Sequence, residues 1–453
     1  MRSTIGAAVA IGVCVLRAGA GDLLFVDATV ESGLSTLHSP SDALGFSSLG
    51  VMCAGGAVAD FDRDGDQDVF VLLGGKLPDR LFLNNGDGTF VDRADEWGVA
   101  VQHMGLAVAV GDYDGDGWLD LFVTSCGPHG AVPGPSQHRL YHNTGAGFVE
   151  VAHAAGVNQS TSLTCDGTGA AFGDYDLDGD LDLFVAGWFY QSQGNRLFRN
   201  NGDGTFTDVT AASFPSLATV RGFSPRFIDM NGDRYPELLL AADFGTSRYF
   251  VNQGDGTFAD ATAASGTGLD GNGMGQCVAD FDGDGRPDWY VTSVFGNKNP
   301  TTPGTGNMLY LNQGEHAYAE VSEAAGVKEG FWGWGTSAAD LDLDGDLDLL
   351  ETNGWAFTAG YSDTPARVWL NDGAAVFTDV AASCGLWHTA LGRALFTFDA
   401  DGDGDSDVVI LSFKDELRFY RNDMVHGDDT SWLGVRLDVS AAPHLAPTGS
   451  EAM

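Results

Sequence analysis

Asp60-Phe-Asp62-Arg-Asp64-Gly65-Asp66-Gln-Asp68, followed at once by the apolar run Val69-Phe-Val-Leu-Leu73, is the stretch whose reading decides the fold. Carboxylates at positions 1, 3 and 5 of a tight turn point inward, position 7 can offer its backbone carbonyl, and the acid at position 9 closes an all-oxygen cage. Gly65 at position 6 permits the sharp turn. A hard divalent ion of calcium's size takes about six to eight oxygen ligands, whereas zinc would call for His and Cys, which this loop lacks. The stretch reads as a calcium loop feeding a buried strand.

The pattern recurs six more times. Candidate ligands are Asp60, Asp62, Asp64, Asp66 and Asp68; Asp112, Asp114, Asp116, Trp118 and Asp120; Asp174, Asp176, Asp178, Asp180 and Asp182; and Asp229, Asn231, Asp233, Tyr235 and Glu237. They continue with Asp280, Asp282, Asp284, Arg286 and Asp288; Asp340, Asp342, Asp344, Asp346 and Asp348; and Asp399, Asp401, Asp403, Asp405 and Asp407. Trp118, Tyr235 and Arg286 stand at position 7, where only the backbone carbonyl is asked for. Loop starts lie 52, 62, 55, 51, 60 and 59 residues apart, a period of repeat architectures. The fourth loop is the weakest: Asn231 replaces an acid, Arg234 replaces the glycine and Glu237 follows Pro236, so it is expected to bind poorly or not at all. Six to seven structural calcium ions are therefore expected.

An EF-hand loop also begins D-x-D-x-D-G, but it needs a bidentate Glu at position 12 and flanking helices. Position 12 here holds Val71, Val123, Val185, Leu240, Val291, Glu351 and Ile410. The residues after each loop are β-branched and aromatic, as in Leu121-Phe-Val-Thr124 and Trp289-Tyr-Val-Thr292, which predicts a buried strand.

Each unit repeats more than its loop. Leu81-Phe-Leu-Asn-Asn-Gly-Asp-Gly-Thr-Phe90 is echoed by Leu197 to Phe206 and Tyr249 to Phe258, with looser versions at Leu140 to Phe148, Leu309 to Tyr318 and Val368 to Phe377. Two strands about an Asn/Gly-rich turn form a hairpin. A short strand precedes each loop, for example Gly56-Ala-Val-Ala59. Four strands per repeat make a propeller blade, so the fold class is all-β, a seven-bladed β-propeller with a calcium loop in each blade. The fourth strand, marked by F-x-D or F-x-E, comes after only six of the seven loops. Phe25-Val-Asp27 near the N-terminus supplies the missing one, so an N-terminal strand is predicted to close the ring and hide both sheet edges.

Composition narrows the function classes. Formal charge is −41, from 63 acids against 22 bases, and 31 of the acids sit in the seven loops. Seven divalent ions would carry about 14 positive charges and leave about −27. Without metal the clustered carboxylates repel one another, which couples folding to calcium. Such a field disfavours nucleic acid and anionic membrane as partners.

Residues 1–20 read as a secretory signal: Arg2, an apolar run from Ile5 to Leu16, and the small-x-small site Ala18-Gly-Ala20. No later apolar run reaches the about 18 residues of a spanning helix, so a secreted monomer is expected, periplasmic or surface-bound if bacterial. Five cysteines remain, an odd and scattered set that gives no disulfide framework.

These loops, the N-x-G-D-G-T-F hairpins, Gly333-Trp-Gly-Thr-Ser and Trp432-Leu-Gly-Val-Arg-Leu437 resemble the FG-GAP/VCBS repeats of integrin α-subunit propellers and, more closely, the ASPIC/UnbV group that includes cartilage acidic protein. The resemblance implies a propeller over residues 21–425 and the truncated opening of an ASPIC/UnbV-like module over 426–453. It also implies a calcium-binding, extracellular scaffold for a protein or polysaccharide partner.

Two alternatives stay open. One is an enzyme on extracellular polysaccharide, using an acid pair or a rim histidine such as His103 or His388; its mark would be two acids outside the loops, converging about 5 to 9 Å apart. No common catalytic motif is present to support it, and no catalytic residue is assigned. The other is a lectin, using aromatic segments such as Trp188-Phe-Tyr190, Phe331-Trp-Gly-Trp334, Trp355-Ala-Phe357 and Trp387-His388, most of which are expected to pack in the core. Cys126, His129, His138 and His142 have loose zinc-ligand spacing in a Pro-rich segment that reads better as a surface loop.

Overall fold

The computed structural model describes residues 23–41, 48–125, 137–158, 166–189, 194–296 and 304–425. The expected signal and the ASPIC/UnbV-like piece lie outside them, as do Cys126, His129 and Cys165. No helix among the described residues is long and apolar enough to cross a membrane.

The chain folds into seven four-stranded antiparallel sheets, with strands in chain order in all but the last. Blade 1 runs Gly56–Ala59, Asp68–Val71, Arg80–Asn84, Phe90–Asp92, and the same order repeats to blade 6, Gly333–Ala339, Asp348–Asn353, Arg367–Asn371, Phe377–Asp379. Blade 7 contributes Gly392–Phe398, Asp407–Ser412 and Arg418–Asn422, and its outer strand is Phe25–Asp27 from the other end of the chain. Phe25 pairs with Asn422 and Asp27 with Tyr420, so the expected closure by the N-terminal strand holds.

The closing strand repeats the chemistry of the others. In four blades the arginine opening the third strand pairs with the acid ending the fourth: Arg80 with Asp92, Arg196 with Asp208, Arg248 with Asp260 and Arg367 with Asp379. Arg418 meets Asp27 at 3.4 Å in the same way. The F-x-D signature is thus a strand whose Phe turns inward and whose acid holds the neighbouring strand.

Second strands are buried along their length, because sheets flank them on both faces. Seven apolar clusters each join adjoining blades; Phe90 of blade 1, for instance, packs with Phe398 and Phe419 of blade 7. Each blade therefore buries its faces only against its neighbours, which explains why the ring must close. The inner strands surround a channel of about 1640 Å³. The acidic loops, joining first to second strands, rim one end; Met52, Phe223, Met274, Trp334 and Arg393 line the other.

Candidate metal centres

Each acidic loop is shaped by its own carboxylates before any ion is considered. The position-1 Asp accepts from the position-6 backbone N–H in every blade, as in Gly65 N to Asp60 Oδ2 at 3.1 Å and Arg234 N to Asp229 Oδ2 at 2.8 Å. The position-5 acid accepts from the position-7 N–H, as in Asp66 N to Asp64 Oδ1 at 2.9 Å. Position 6 is left-handed, with φ 105° at Gly65 and 80° at Arg234, so blade 4 holds an arginine where glycine is free of strain.

Ligand atoms of positions 1, 3 and 9 lie within 4.8 Å of one another in three blades: Asp60, Asp62, Asp68; Asp174, Asp176, Asp182; and Asp280, Asp282, Asp288. In blade 2, Asp112, Asp114 and Asp116 converge likewise, and His142 from the third strand adds its Nδ1 beside Asp114 at 3.1 Å. Asp60 Oδ1, Asp176 Oδ1, Asp282 Oδ1 and Asp342 Oδ1 are buried oxygens without a hydrogen-bond partner among the described residues. Burial, with repulsion from neighbouring acids, raises the pKa of Asp62, Asp176 and Asp282, and Asp342 is pushed up to about 6. Orphaned hard oxygens converging in a desolvated pocket fit a calcium-sized cation, whose charge would offset the repulsion.

Position 9 does two tasks. It is the most buried of the set, and desolvation lifts Asp68 to about 7, Asp120 to about 8 and Asp182 to about 9. One oxygen of each accepts from the position-2 N–H, for example Phe61 N to Asp68 Oδ2 at 2.9 Å, and the other from the Asn that ends the third strand, Asn84 N to Asp68 Oδ1 at 2.9 Å.

In the sequence that Asn reads as no more than a turn former; in the fold it links neighbouring blades. In every blade its Nδ2 donates to the position-2 carbonyl of the preceding blade's loop. Asn143 reaches Phe61 O at 2.9 Å, Asn200 reaches Tyr113 O at 2.7 Å, Asn252 reaches Tyr175 O at 2.8 Å and Asn312 reaches Met230 O at 2.8 Å. Asn371 bonds Phe281 O at 2.9 Å, Asn422 bonds Leu341 O at 3.0 Å, and Asn84 closes the circuit on Ala400 O at 2.9 Å. Its recurrence at one place in all seven repeats was the available signal; only the destination was hidden. The hairpin glycine two residues on has its own reason, since a Cβ on Gly86 (φ 76°) would stand 2.5 Å from Asp66 Oδ2.

Blades 4 and 5 depart from the pattern. Asn231 Nδ2 donates to Asp233 at 3.0 Å and lies 3.1 Å from His316 Nε2, whose Nδ1 meets Tyr249 Oη at 2.8 Å. A hydrogen-bonded network of Asn231, His316 and Tyr249 thus occupies part of the fourth loop, although among the described residues Glu237 Oε1 is still buried and has no hydrogen-bond partner. In blade 5, Arg286 turns back onto the Asp284 carboxylate.

The alternative sites are placed differently from the rim positions considered for them. His103 is 1 % exposed and bonded to Asp79 at 2.6 Å; His388 is 6 % exposed, between Ser412 and Tyr420. His138 is buried, with its Nδ1 accepting from Ser125 N, while His142 turns to the second acidic loop, so the two do not share one site. The acids lining the channel, Asp60, Asp174 and Asp229, all belong to the loops. Of the aromatic candidates, Trp332 and Trp334 are buried, while Phe357 is 44 % and Trp387 56 % exposed. Cys53, Cys277 and Cys384 are buried, and no disulfide joins them to one another.

A family model described as FG-GAP-like repeat matches residues 45–123, 174–240 and 229–291. Cartilage acidic protein 1 of Xenopus tropicalis is 25% identical over 325 residues, 66% of this chain and 48% of that protein. The Mus musculus protein is 26% identical over 316 residues, 64% of this chain and 44% of its own. The Homo sapiens protein is 26% identical over 281 residues, 57% and 40% respectively. The chain thus spans less than half the length of these relatives. A solved structure of an Agrocybe aegerita lectin, described as recognising non-reducing terminal N-acetylglucosamine, aligns at 18% identity with TM-score 0.46, covering 82% of this chain and 89% of the lectin.

Proposed function

Taking the chain as a seven-bladed propeller of FG-GAP-like repeats, related in sequence to cartilage acidic protein 1, we propose that it is a secreted, calcium-loaded binding scaffold for an extracellular protein or polysaccharide. The observation that carries the metal part is the convergence of position-1, -3 and -9 carboxylates within 4.8 Å, with buried oxygens left unpaired. The role of the ion is structural. It holds a loop between the first two strands of a blade, and the Asn wiring passes that order to the next blade. A rigid rim with variable side chains at position 7 is a suitable docking face, and the cartilage relatives' name supports an extracellular setting.

The test is thermal unfolding and metal content of the protein with calcium and after EGTA, with magnesium as control. Calcium-specific stabilisation with about six bound ions is expected. Equal stability with little bound calcium would overturn the metal reading.

A further inference from the structure

Four inner strands carry a register shift at the channel end opposite the acidic loops: between Gly105 and Val108, Gly222 and Ser224, Gly333 and Thr336, and Gly392 and Ala394. A bulge breaks the alternation and re-aims the extra side chain. The residues re-aimed are Leu106, Phe223, Trp334 and Arg393, and all four line the channel. Three are apolar and one is a cation.

Arg393 is 5 % exposed. Its Nε donates to Val51 O at 2.5 Å and its Nη1 to Gly354 O at 3.1 Å and Gly392 O at 2.5 Å. The guanidinium lies 4.2 Å from the Trp334 ring centre and 6.0 Å from that of Trp355. Among the described residues Nη2 has no hydrogen-bond partner. Among the described residues no carboxylate pairs with it, although the chain has 63 acids for 22 bases. The titratable groups that feel its charge, His38 and Cys53, are held neutral by burial, the one pushed down to about 3 and the other up to about 12. Carbonyl dipoles and ring faces solvate the guanidinium in part, yet a buried cation without a counter-ion is destabilising. A planar fork with one donor unused, against an apolar wall, is the arrangement that reads a carboxylate.

We propose that the bulged end of the channel is a binding site for a small carboxylate ligand, whose anionic group takes the free edge of Arg393 and whose apolar body lies among Met52, Phe223, Met274 and Trp334. Two of those walls are methionines, which shift at little cost and give the ligand its way to Nη2. The site is independent of the acidic loops at the other end.

The test is calorimetric titration of the full chain in calcium buffer with benzoate, glucuronate and acetate, against the neutral counterparts benzamide and glucose. At least one ring-bearing acid should bind, with its neutral counterpart at least about tenfold weaker. Benzoate alone would identify an aromatic acid, glucuronate alone an acidic sugar, and acetate binding as tightly as either would mean that only the carboxylate is read. Arg393→Met should lose the preference for the acid. Should that variant not fold, Met274→Trp, which fills the space beside the guanidinium and keeps the charge, should abolish binding. The inference fails if no acid binds the native chain at about 10 mM, if acids and neutral counterparts bind alike, or if binding survives in the folded variants.

Discussion

Replacing Asn200 by alanine should unsettle two blades at once. Its Nδ2 donates to Leu181 O at 3.0 Å within its own blade and to Tyr113 O at 2.7 Å in the blade before, and its Oδ1 accepts from Gly202 N at 3.1 Å. Asn200 is 2 % exposed, so Asn200→Ala leaves buried carbonyls with no donor and no ready water. An orphaned buried polar group costs about 1–3 kcal/mol, and two of them give roughly 2–6 kcal/mol. With an unfolding entropy of about 2.1 cal/mol/K per residue over roughly 400 residues, this lowers Tm by about 2–7 °C. The control is the next residue. Asn201 donates to Thr205 Oγ1 at 3.0 Å on the exposed side of the hairpin, and Asn201→Ala should stay within about 0.5 kcal/mol of the native chain. Calcium titration adds a second readout: because Tyr113 belongs to the blade 2 loop and Leu181 to the blade 3 loop, Asn200→Ala should weaken two sites, not one. Equal thermal shifts for both variants, or loss of affinity at blade 3 alone, would refute the wiring argument.

Asp176→Asn should lower bound calcium by about one ion per chain, whereas Asp229→Asn should leave it unchanged, because Asn231 and His316 already occupy part of the fourth loop. Metal analysis of the two variants decides this. Phe25→Ala should cost about 3–5 kcal/mol in denaturant unfolding, since Phe25 is 3 % exposed and packs on Leu395 and Tyr420 at the ring's closure; a surface-like loss below about 1 kcal/mol would place the closing strand elsewhere. In chelator, stability should fall as pH rises. The position-9 acids have folded pKa values raised to about 7 at Asp288 and Asp407 and about 8 at Asp348, above the ordinary carboxylate value, so the folded state binds more protons between those limits. Their contribution is complete below the unfolded pKa and lost as pH passes the raised values; a Tm that is flat or higher at about pH 9 than at about pH 5 would contradict it.

How much of this was legible beforehand depended on the reach of each interaction. The acidic loop is local: nine residues carry their own Asx turns, so position 1 meeting position 6, and position 5 meeting position 7, come from spacing alone. Blade number and ring closure were legible too, because a missing F-x-D strand after the seventh loop and a spare one at Phe25 to Asp27 is a counting argument. The Asn links were not, since each joins a residue to a carbonyl at least 77 positions away, and for Asn84 at 316. Nor were the burial of His103 and His388 and the isolation of Arg393, because a side chain's solvent and charge surroundings are set by the blades that close over it. The sequence by itself determined the period, the strands and the carboxylate cages, whose causes are short-range stereochemistry and alternation. Only the closed ring decided which polar groups meet across blades and which cation is left in an apolar mouth without an anion, because those depend on surfaces that exist once seven repeats have packed side by side.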